Sequence, residues 1–415
     1  MTQYIYPELV KSTLANLQQL VFEVTDACNL QCKYCAYGEM YADRDKREDK
    51  MLLVDKAIRI IDYLADLWKS DLNRSSNSNT FISFYGGEPL LNMPFIETIV
   101  DYLENKIKIP NRRFAFNMTT NAILLDKYID YLKEHKFILL ISLDGNNDNN
   151  GYRIDKSGNQ VFNRIVKNVD LLKEKYPDYF HEYVNFNAVL HNKNSVEDIY
   201  RFFKEKYDKI PTIGELNTTG INSDKLELFN KTYRNANESL QQSEHYEEIE
   251  QDMFIKSANY QSISRFIHRY SGFVYEDYTD LLFDKSKRGK LPTGTCLPFG
   301  KKMYITVNGK IMPCERIGHR FALGEITDTE VKLDFEEVAN KYNEYYSKID
   351  KLCNTCKIAE SCIQCIYFLN NLENAPLCYG YMTEKDFNNY ISTQMNFLAK
   401  HPEAYKRIME EVLVT

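Results

Sequence analysis

No stretch of about 18 apolar residues interrupts this 415-residue sequence, so no membrane-spanning helix is expected. The start, from Met1 to Ser12, lacks a basic segment followed by an apolar core, and no signal peptide is read there. Like charges never form a block long enough for an interaction tail, and the net charge is −7. The basic footprint of a nucleic-acid binder is missing as well, so no nucleic-acid partner is expected. Neither an internal repeat nor a low-complexity segment stands out. What remains is the composition of a soluble globular protein, with 44% hydrophobic and 27% charged residues. Its length exceeds one ordinary core and implies two domains, or one barrel with an attachment. Ten cysteines are present, and without export the expected compartment is the cytoplasm. Thiols stay reduced there, and clustered ones read as metal ligands.

Three of them, Cys28, Cys32 and Cys35, form a C-x3-C-x2-C loop directly after an apolar run, Leu20 to Val24, that reads as a strand. A [4Fe–4S] cluster normally takes four cysteines. Three thiolates on one tight loop therefore leave one iron without a protein ligand, and an open coordination site marks a metal centre that does chemistry. The plainer alternative is a zinc loop or three buried thiols. With Tyr34 just before its third cysteine, the loop resembles the signature of the radical S-adenosylmethionine (SAM) enzymes. The resemblance implies that the methionine amino and carboxylate groups of SAM chelate the fourth iron.

Residues 1–18 read as a short lead. From 19 to 220, strand-like runs alternate with amphipathic helical stretches. The runs are Leu20–Val24, Thr80–Tyr85, Phe114–Thr119, Ile138–Leu143, Val184–Leu190 and Thr212–Leu216. Helical patterns fall between them at Asp55–Trp68, Phe95–Ile107, Lys127–Lys133, Val161–Tyr176 and Val196–Tyr207. Strands separated by helix-length crossovers require a parallel sheet. Six such units match the α/β fold that the resemblance implies, a partial (β/α)6 TIM-like barrel with function at the C-terminal strand ends. Residues 221–292 are polar and read as a helical bridge, with helices over Asp224–Tyr233, Asn235–Ile255 and Ser262–Phe283. The aromatic pattern in Tyr260–Phe283 reads as helix-packing surface. Residues 293–415 are cysteine-rich and read as short of regular structure until a terminal helix, Glu384–Val412.

Candidate ligands stand at the strand ends. After the second strand come Gly86, Gly87, Glu88 and Pro89, where two glycines let the backbone approach a ligand and Glu88 sets a carboxylate at the rim. The run resembles the family's GGEP motif, which contacts the SAM amino group. Thr119, Thr120 and Asn121 can pair with ribose or methionine atoms, or simply cap the strand. Ser142, Asp144 and, further on, Arg153 follow the fourth strand. In the sulfatase- and peptide-maturing branches a serine and an arginine at matching places bind the ribose and carboxylate of SAM, a task that suits the arginine fork. Asn149 and Asn150 replace the His-Asp frequent before that arginine. Asn185 and Asn187 face the same way on the fifth strand, with Asn187 the candidate for adenosine.

Seven cysteines remain: Cys296, Cys314, Cys353, Cys356, Cys362, Cys365 and Cys378. Paired C-x2-C hooks present thiolates to a metal or cluster, and a zinc ribbon is the alternative for Cys353 to Cys365. The pattern resembles the SPASM domain, which carries two auxiliary [4Fe–4S] clusters, although the last central gap is two residues where three is usual. The family's wiring implies Cys296, Cys314 and Cys365 on the first auxiliary cluster, and Cys353, Cys356, Cys362 and Cys378 on the second. The sulfatase-maturing branch has an eighth cysteine shortly after the first, and the segment after Cys296 has none. In that branch an aspartate follows the second SPASM cysteine and acts as a base. Glu315 holds that place here, with an ion pair to Arg316 or Lys301 as its structural alternative.

The resemblance thus implies a radical SAM/SPASM enzyme with SAM and three [4Fe–4S] clusters, acting on a peptide or protein. It would take an electron from a donor such as flavodoxin or ferredoxin, and cleave SAM to methionine and a 5′-deoxyadenosyl radical that abstracts hydrogen from the substrate. The first expectation is a thioether or carbon–carbon cross-link in a ribosomal peptide. Formylglycine formation on a sulfatase is the second, and a metal-bearing scaffold is the non-enzymatic alternative.

Overall fold

Six of the seven residues of β1 (Gln19–Thr25) are buried, as in a strand covered on both faces. The computed structural model describes residues 3–74, 79–254, 258–270 and 291–411. Parallel pairing runs outward from β1 through β2 (Asn79–Gly86), β3 (Arg113–Thr120), β4 (Ile138–Ser142) and β5 (Val184–Val189) to β6 (Thr212–Gly214). All six lie where the apolar runs place them. Among the described residues β6 pairs with β5 alone, so these strands form the expected partial barrel rather than a closed one. The crossover Val54–Trp68 buries Ile60, Ile61, Leu64 and Trp68 on one face. That spacing follows the helical period.

Other crossovers depart in detail. The stretch expected as one helix over 95–107 is an α-helix, Met93–Asp101, that continues as a π-helical turn, Tyr102–Lys106. Helix Ile129–Glu134 is preceded by a tight 3₁₀ turn, Leu125–Lys127. Within the expected lead, Pro7–Ala15 is a helix with Val10, Leu14 and Ala15 buried.

The main correction concerns residues 297–335. Expected to lack regular structure, they add β7 (Lys302–Ile305), β8 (Lys310–Met312), β9 (Gly324–Ile326) and β10 (Val331–Lys332) to the same sheet. Strand β7 lies parallel to β1, with Val21 opposite Tyr304, and the next three strands follow antiparallel. Met303, Tyr304 and Ile305 are fully buried, which supplies the apolar contact that holds β7 there. Contacts accordingly divide the chain into two compact units, one of Glu8–Ile249 with Leu297–Phe335, the other of Met1–Pro7, Glu250–Cys296 and Glu336–Thr415. The start of the cysteine-rich region thus shares a unit with the sheet.

The smaller unit contains a helix the sequence reading passed over, Phe335–Cys353, with Val338, Tyr342, Tyr345, Tyr346 and Ile349 buried. Asn343 on it accepts from the backbone N–H of Tyr4 and Ile5 at 2.8 and 2.9 Å and donates to Ile5 O at 2.8 Å, which docks the chain's start like an added strand partner. The bridge expected as one helix over 235–255 is two, Ala236–Gln241 and Tyr246–Asp252. The terminal stretch also breaks in two, Glu384–Lys400 and Pro402–Glu411, because Pro402 disfavours helical geometry at His401. Helix Ala258–Tyr270 packs Tyr260, Ile263, Phe266 and Ile267 against Ala404 and Ile408, as the packing-surface reading expects. The rest of the expected helix, 271–283, lies outside the described residues. No helix among the described residues is long and apolar enough to cross a membrane.

Candidate functional site

The loop bearing Cys28, Cys32 and Cys35 starts where β1 ends, and it is tied down on two sides. On one, the Asp26 carboxylate accepts from Glu48 N at 3.1 Å and Lys50 N at 2.6 Å, while Thr25 Oγ1 donates to Lys50 O at 2.6 Å. On the other, Gln31 N donates to Ile154 O at 2.8 Å and Lys33 N to Tyr152 O at 3.1 Å. Within the loop, Cys35 N reaches Cys32 O at 3.2 Å and Leu30 N reaches Cys28 Sγ at 3.4 Å.

The two glycines after β2 press on this loop. A Cβ on Gly86 would stand 2.2 Å from Thr25 O, and one on Gly87 would stand 1.9 Å from Ala27 O. Backbone bonds continue the β1–β2 pairing across them, Gly87 N to Thr25 O at 2.8 Å and Glu88 N to Ala27 O at 2.9 Å. Both glycines thus make a close approach to the chain's own backbone. The Glu88 carboxylate is bound into the fold as well. The residue is 1% exposed, and its carboxylate accepts from Thr120 Oγ1 at 2.6 Å, Asn121 N at 2.8 Å and Leu90 N at 3.2 Å. Burial pushes its pKa up to about 7, against the hydrogen bonds that favour the anion. Glu88 thus binds the end of β2 to the end of β3, and Pro89 opens the buried turn that follows.

All three cysteines line one cavity of about 780 Å3, together with Tyr34, Gly86, Gly87, Glu88, Thr119, Asn121, Ser142, Arg153 and Asn187. The expected ligands at the ends of β3, β4 and β5 thus share a wall opposite the cysteine loop. Asn121 spans both, its Nδ2 at 2.8 Å from Asn29 Oδ1 and 3.8 Å from Cys28 Sγ. Asn185 is exposed and does not line the cavity. Asp144 also stands apart from the lining, fully buried behind Arg153. Arg153 Nη2 donates to Asp144 Oδ1 at 2.9 Å, Val189 N donates to the same oxygen at 3.0 Å, and Tyr34 Oη donates to Oδ2. Burial pushes the Asp144 carboxyl up, but Arg153, His191 and Tyr34 outweigh it and hold the pKa at about 2. His191 stacks on the Tyr34 ring and is itself fully buried. One polar atom of this assembly is left over. Arg153 Nε is buried without a hydrogen-bond partner.

Glu315 does not line the cavity either. Its Oε1 pairs with Lys302 Nζ at 3.0 Å, not with Lys301 or Arg316, and Oε2 lies 3.5 Å from Cys314 Sγ. Burial would raise its pKa, and Lys302 more than offsets this, so the carboxyl sits below its usual value. In the smaller unit, the Cys353 thiol lies within electrostatic reach of Cys362, Cys378 and Cys356, and burial with those neighbours pushes it up to about 12. Cys296 and Cys365 both bear on Tyr342 and Tyr346. Cys314 belongs to the larger unit.

Comparison with known proteins identifies a domain. Residues 22–205 match the model of the radical SAM superfamily. A cysteine-type anaerobic sulfatase-maturating enzyme of Clostridium perfringens (strain 13 / Type A) is 27% identical over 355 residues, covering 83% of this chain and 87% of the relative. The chain contains a radical SAM domain. A further relative, the radical SAM cyclopropyl synthase TigE of Paramaledivibacter caminithermalis, is 26% identical over 174 residues, 40% of this chain and 34% of that protein. In fold, the chain is similar to the solved structure of native anSMEcpe with bound AdoMet, with a TM-score of 0.60 over 95% of this chain and 99% of the other, at 18% identity.

The residues present fit the family's iron–sulfur cluster and SAM. Burial pushes the Cys28 thiol up to about 11 and the Cys32 thiol to about 12, so neither would ionise unaided, and coordination to iron is what would make a buried thiolate favourable. Among the described residues no three His, Cys, Asp or Glu side chains converge on a single ion. A cubane needs a different arrangement, one thiolate for each of three irons. The orphaned Arg153 Nε at the cavity wall matches an anionic ligand group. Several lining residues escaped the sequence reading, among them Tyr37, Arg47, Tyr85 and Leu216. Arg47 follows Cys35 by twelve positions with no motif to flag it.

Substituting Gly87 tests the contact that shapes the loop. G87A should cost more than about 2 kcal/mol in thermal or urea unfolding and lower the iron bound on anaerobic reconstitution, because a Cβ has no room. G158A is the control: Gly158 has φ +85° with nothing within 4 Å of an added Cβ, so only about 1–2 kcal/mol of backbone strain is expected, with iron retained. Equal iron in both variants would remove the packing explanation.

Proposed function

We propose that this chain is a radical SAM maturase that oxidises a residue of a peptide or protein, with Cys28, Cys32 and Cys35 holding the SAM-binding [4Fe–4S] cluster. The observation that carries the proposal is one cavity whose walls are the three-cysteine loop and the C-terminal ends of β3, β4 and β5. When bound there, SAM and the cluster supply an organic radical able to abstract hydrogen. The chain's own residues place the participants. Arg153, held by Asp144 at 2.9 Å, presents its fork to the SAM carboxylate, and Thr119, Ser142 and Asn187 face ribose and adenosine. The buried walls keep water from a reactive intermediate. In the smaller unit Cys353, Cys356, Cys362 and Cys378 hold an auxiliary [4Fe–4S] cluster, and a flavodoxin or ferredoxin delivers the electron.

The reaction proposed first is a thioether or carbon–carbon cross-link in a ribosomal peptide. It rests on the missing eighth cysteine, which sets this chain apart from the sulfatase-maturing pattern. A second reading, formylglycine formation, is favoured by similarity to a sulfatase-maturating enzyme over most of both chains and by Glu315. That carboxylate is kept ionised by Lys302, as a base must be.

Coexpression with a short peptide encoded beside the gene, followed by mass spectrometry and an aldehyde-reactive probe, separates the two. A cross-link gives a product lighter by two hydrogens and inert to the probe. A probe-reactive product instead establishes formylglycine, and an unmodified peptide with turnover of SAM counts against both. For SAM binding, R153K keeps a positive charge opposite Asp144, so the buried pair survives while the fork is lost. Its affinity for SAM should fall about tenfold, near 1.4 kcal/mol. Unchanged affinity in the folded variant would remove Arg153 from the SAM site.

A further inference from the structure

The two arginines that line the cavity are not in the same electrostatic condition. Arg153 lies near Cys32, but its charge is matched by Asp144 at 2.9 Å. Arg47 approaches a different cysteine. Its Nη2 lies 3.8 Å from Cys35 Sγ, and its charge also bears on the Cys28 thiol. The guanidinium sits 4.4 Å from the centre of the Tyr37 ring, and its Nε is buried with no hydrogen-bond partner. Among the described residues no carboxylate forms an ion pair with Arg47.

The backbone holds this residue in place. Glu48 N and Lys50 N, just after Arg47, are bound by the Asp26 carboxylate at 3.1 and 2.6 Å. Just before it, Asp45 N donates to His319 Nδ1 at 3.2 Å and Arg44 Nη1 to Glu315 O at 2.6 Å. Arg47 is therefore carried on a segment clamped at both ends, with the Tyr37 ring against its guanidinium. A long cationic side chain without such support would turn into water.

We propose that Arg47 is a positioning and tuning residue whose unmatched positive charge, donated toward Cys35 Sγ, raises the reduction potential of the SAM-binding cluster. This rests on the reading that Cys28, Cys32 and Cys35 hold a cubane. The physical reason is charge. Three thiolates on a 2+ cubane core leave a net charge of about −1, and one electron from the flavodoxin or ferredoxin makes it about −2. No bond or proton moves in that step. A guanidinium at a ligand sulfur stabilises the more negative state, and hydrogen bonds to cluster sulfurs act in the same direction. Arg153 contributes little, because Asp144 cancels its charge.

The test is the midpoint potential of the holoenzyme cluster whose electron paramagnetic resonance signal changes on adding SAM, compared among wild type, R47Q and R47H. In R47Q the reduction equilibrium should weaken about tenfold, which lowers the one-electron midpoint by about 59 mV. In R47H the shift should depend on pH, close to wild type where the imidazole is protonated and close to R47Q where it is neutral. If R47Q takes up no iron, R47H carries the comparison within one protein. A midpoint equal to wild type in R47Q, or an R47H midpoint that follows the wild-type pH profile, would overturn the proposal while leaving the cluster assignment intact. A wild-type protein with no SAM-responsive signal would overturn both.

Discussion

Gly87 rests against the Ala27 carbonyl with no space for even a methyl group, and the geometry of the site depends on that contact. It lets Glu88 N complete the β1–β2 pairing beyond the strands, directly under the loop that carries Cys28. The Asp26 carboxylate and the backbone of residues 152–154 fix the other sides. A three-cysteine loop is short and polar, and its own hydrogen bonds are too few to define a shape. Its rigidity is borrowed from the sheet, whose strand ends are the most reliable platform in a parallel α/β fold.

Electrostatics divides the cavity in a second way. Asp144 and Arg153 form a buried ion pair, and burial of two charges is tolerated only when their remaining valences are met. Tyr34, Val189 N and Arg153 satisfy Asp144, while Arg153 Nε is left without a partner. Tyr34 precedes the third cysteine of the loop, so Arg153 and the cysteine loop are fixed by the same aspartate. Among the described residues no carboxylate pairs with Arg47, so the two arginines differ in their charge balance.

Much of this was legible from the chain. Apolar runs such as Leu20–Val24 and Phe114–Thr119 lie on the sheet, and the C-x3-C-x2-C spacing places three thiols on one cavity. What local patterns do not carry is long-range pairing. Nothing near Lys302–Ile305 signals that it will lie parallel to β1, from which some 280 residues separate it. Helix Phe335–Cys353 had a readable signal, since Val338, Tyr342, Tyr345, Tyr346 and Ile349 recur at helical spacing, but tyrosines among charged residues mask an apolar face. The contacts of Gly86 and Gly87 with Thr25 and Ala27 were unreadable for a related reason. Sequence tells which residues permit close approach, and only the fold tells what approaches them.

The central claim is that Cys28, Cys32 and Cys35 carry the centre that cleaves SAM, and the most direct measurement is 5′-deoxyadenosine formation by reduced protein in which all three are alanine. The account predicts that the triple variant forms none while retaining iron on Cys353, Cys356, Cys362 and Cys378. Continued cleavage of SAM by that variant would contradict it.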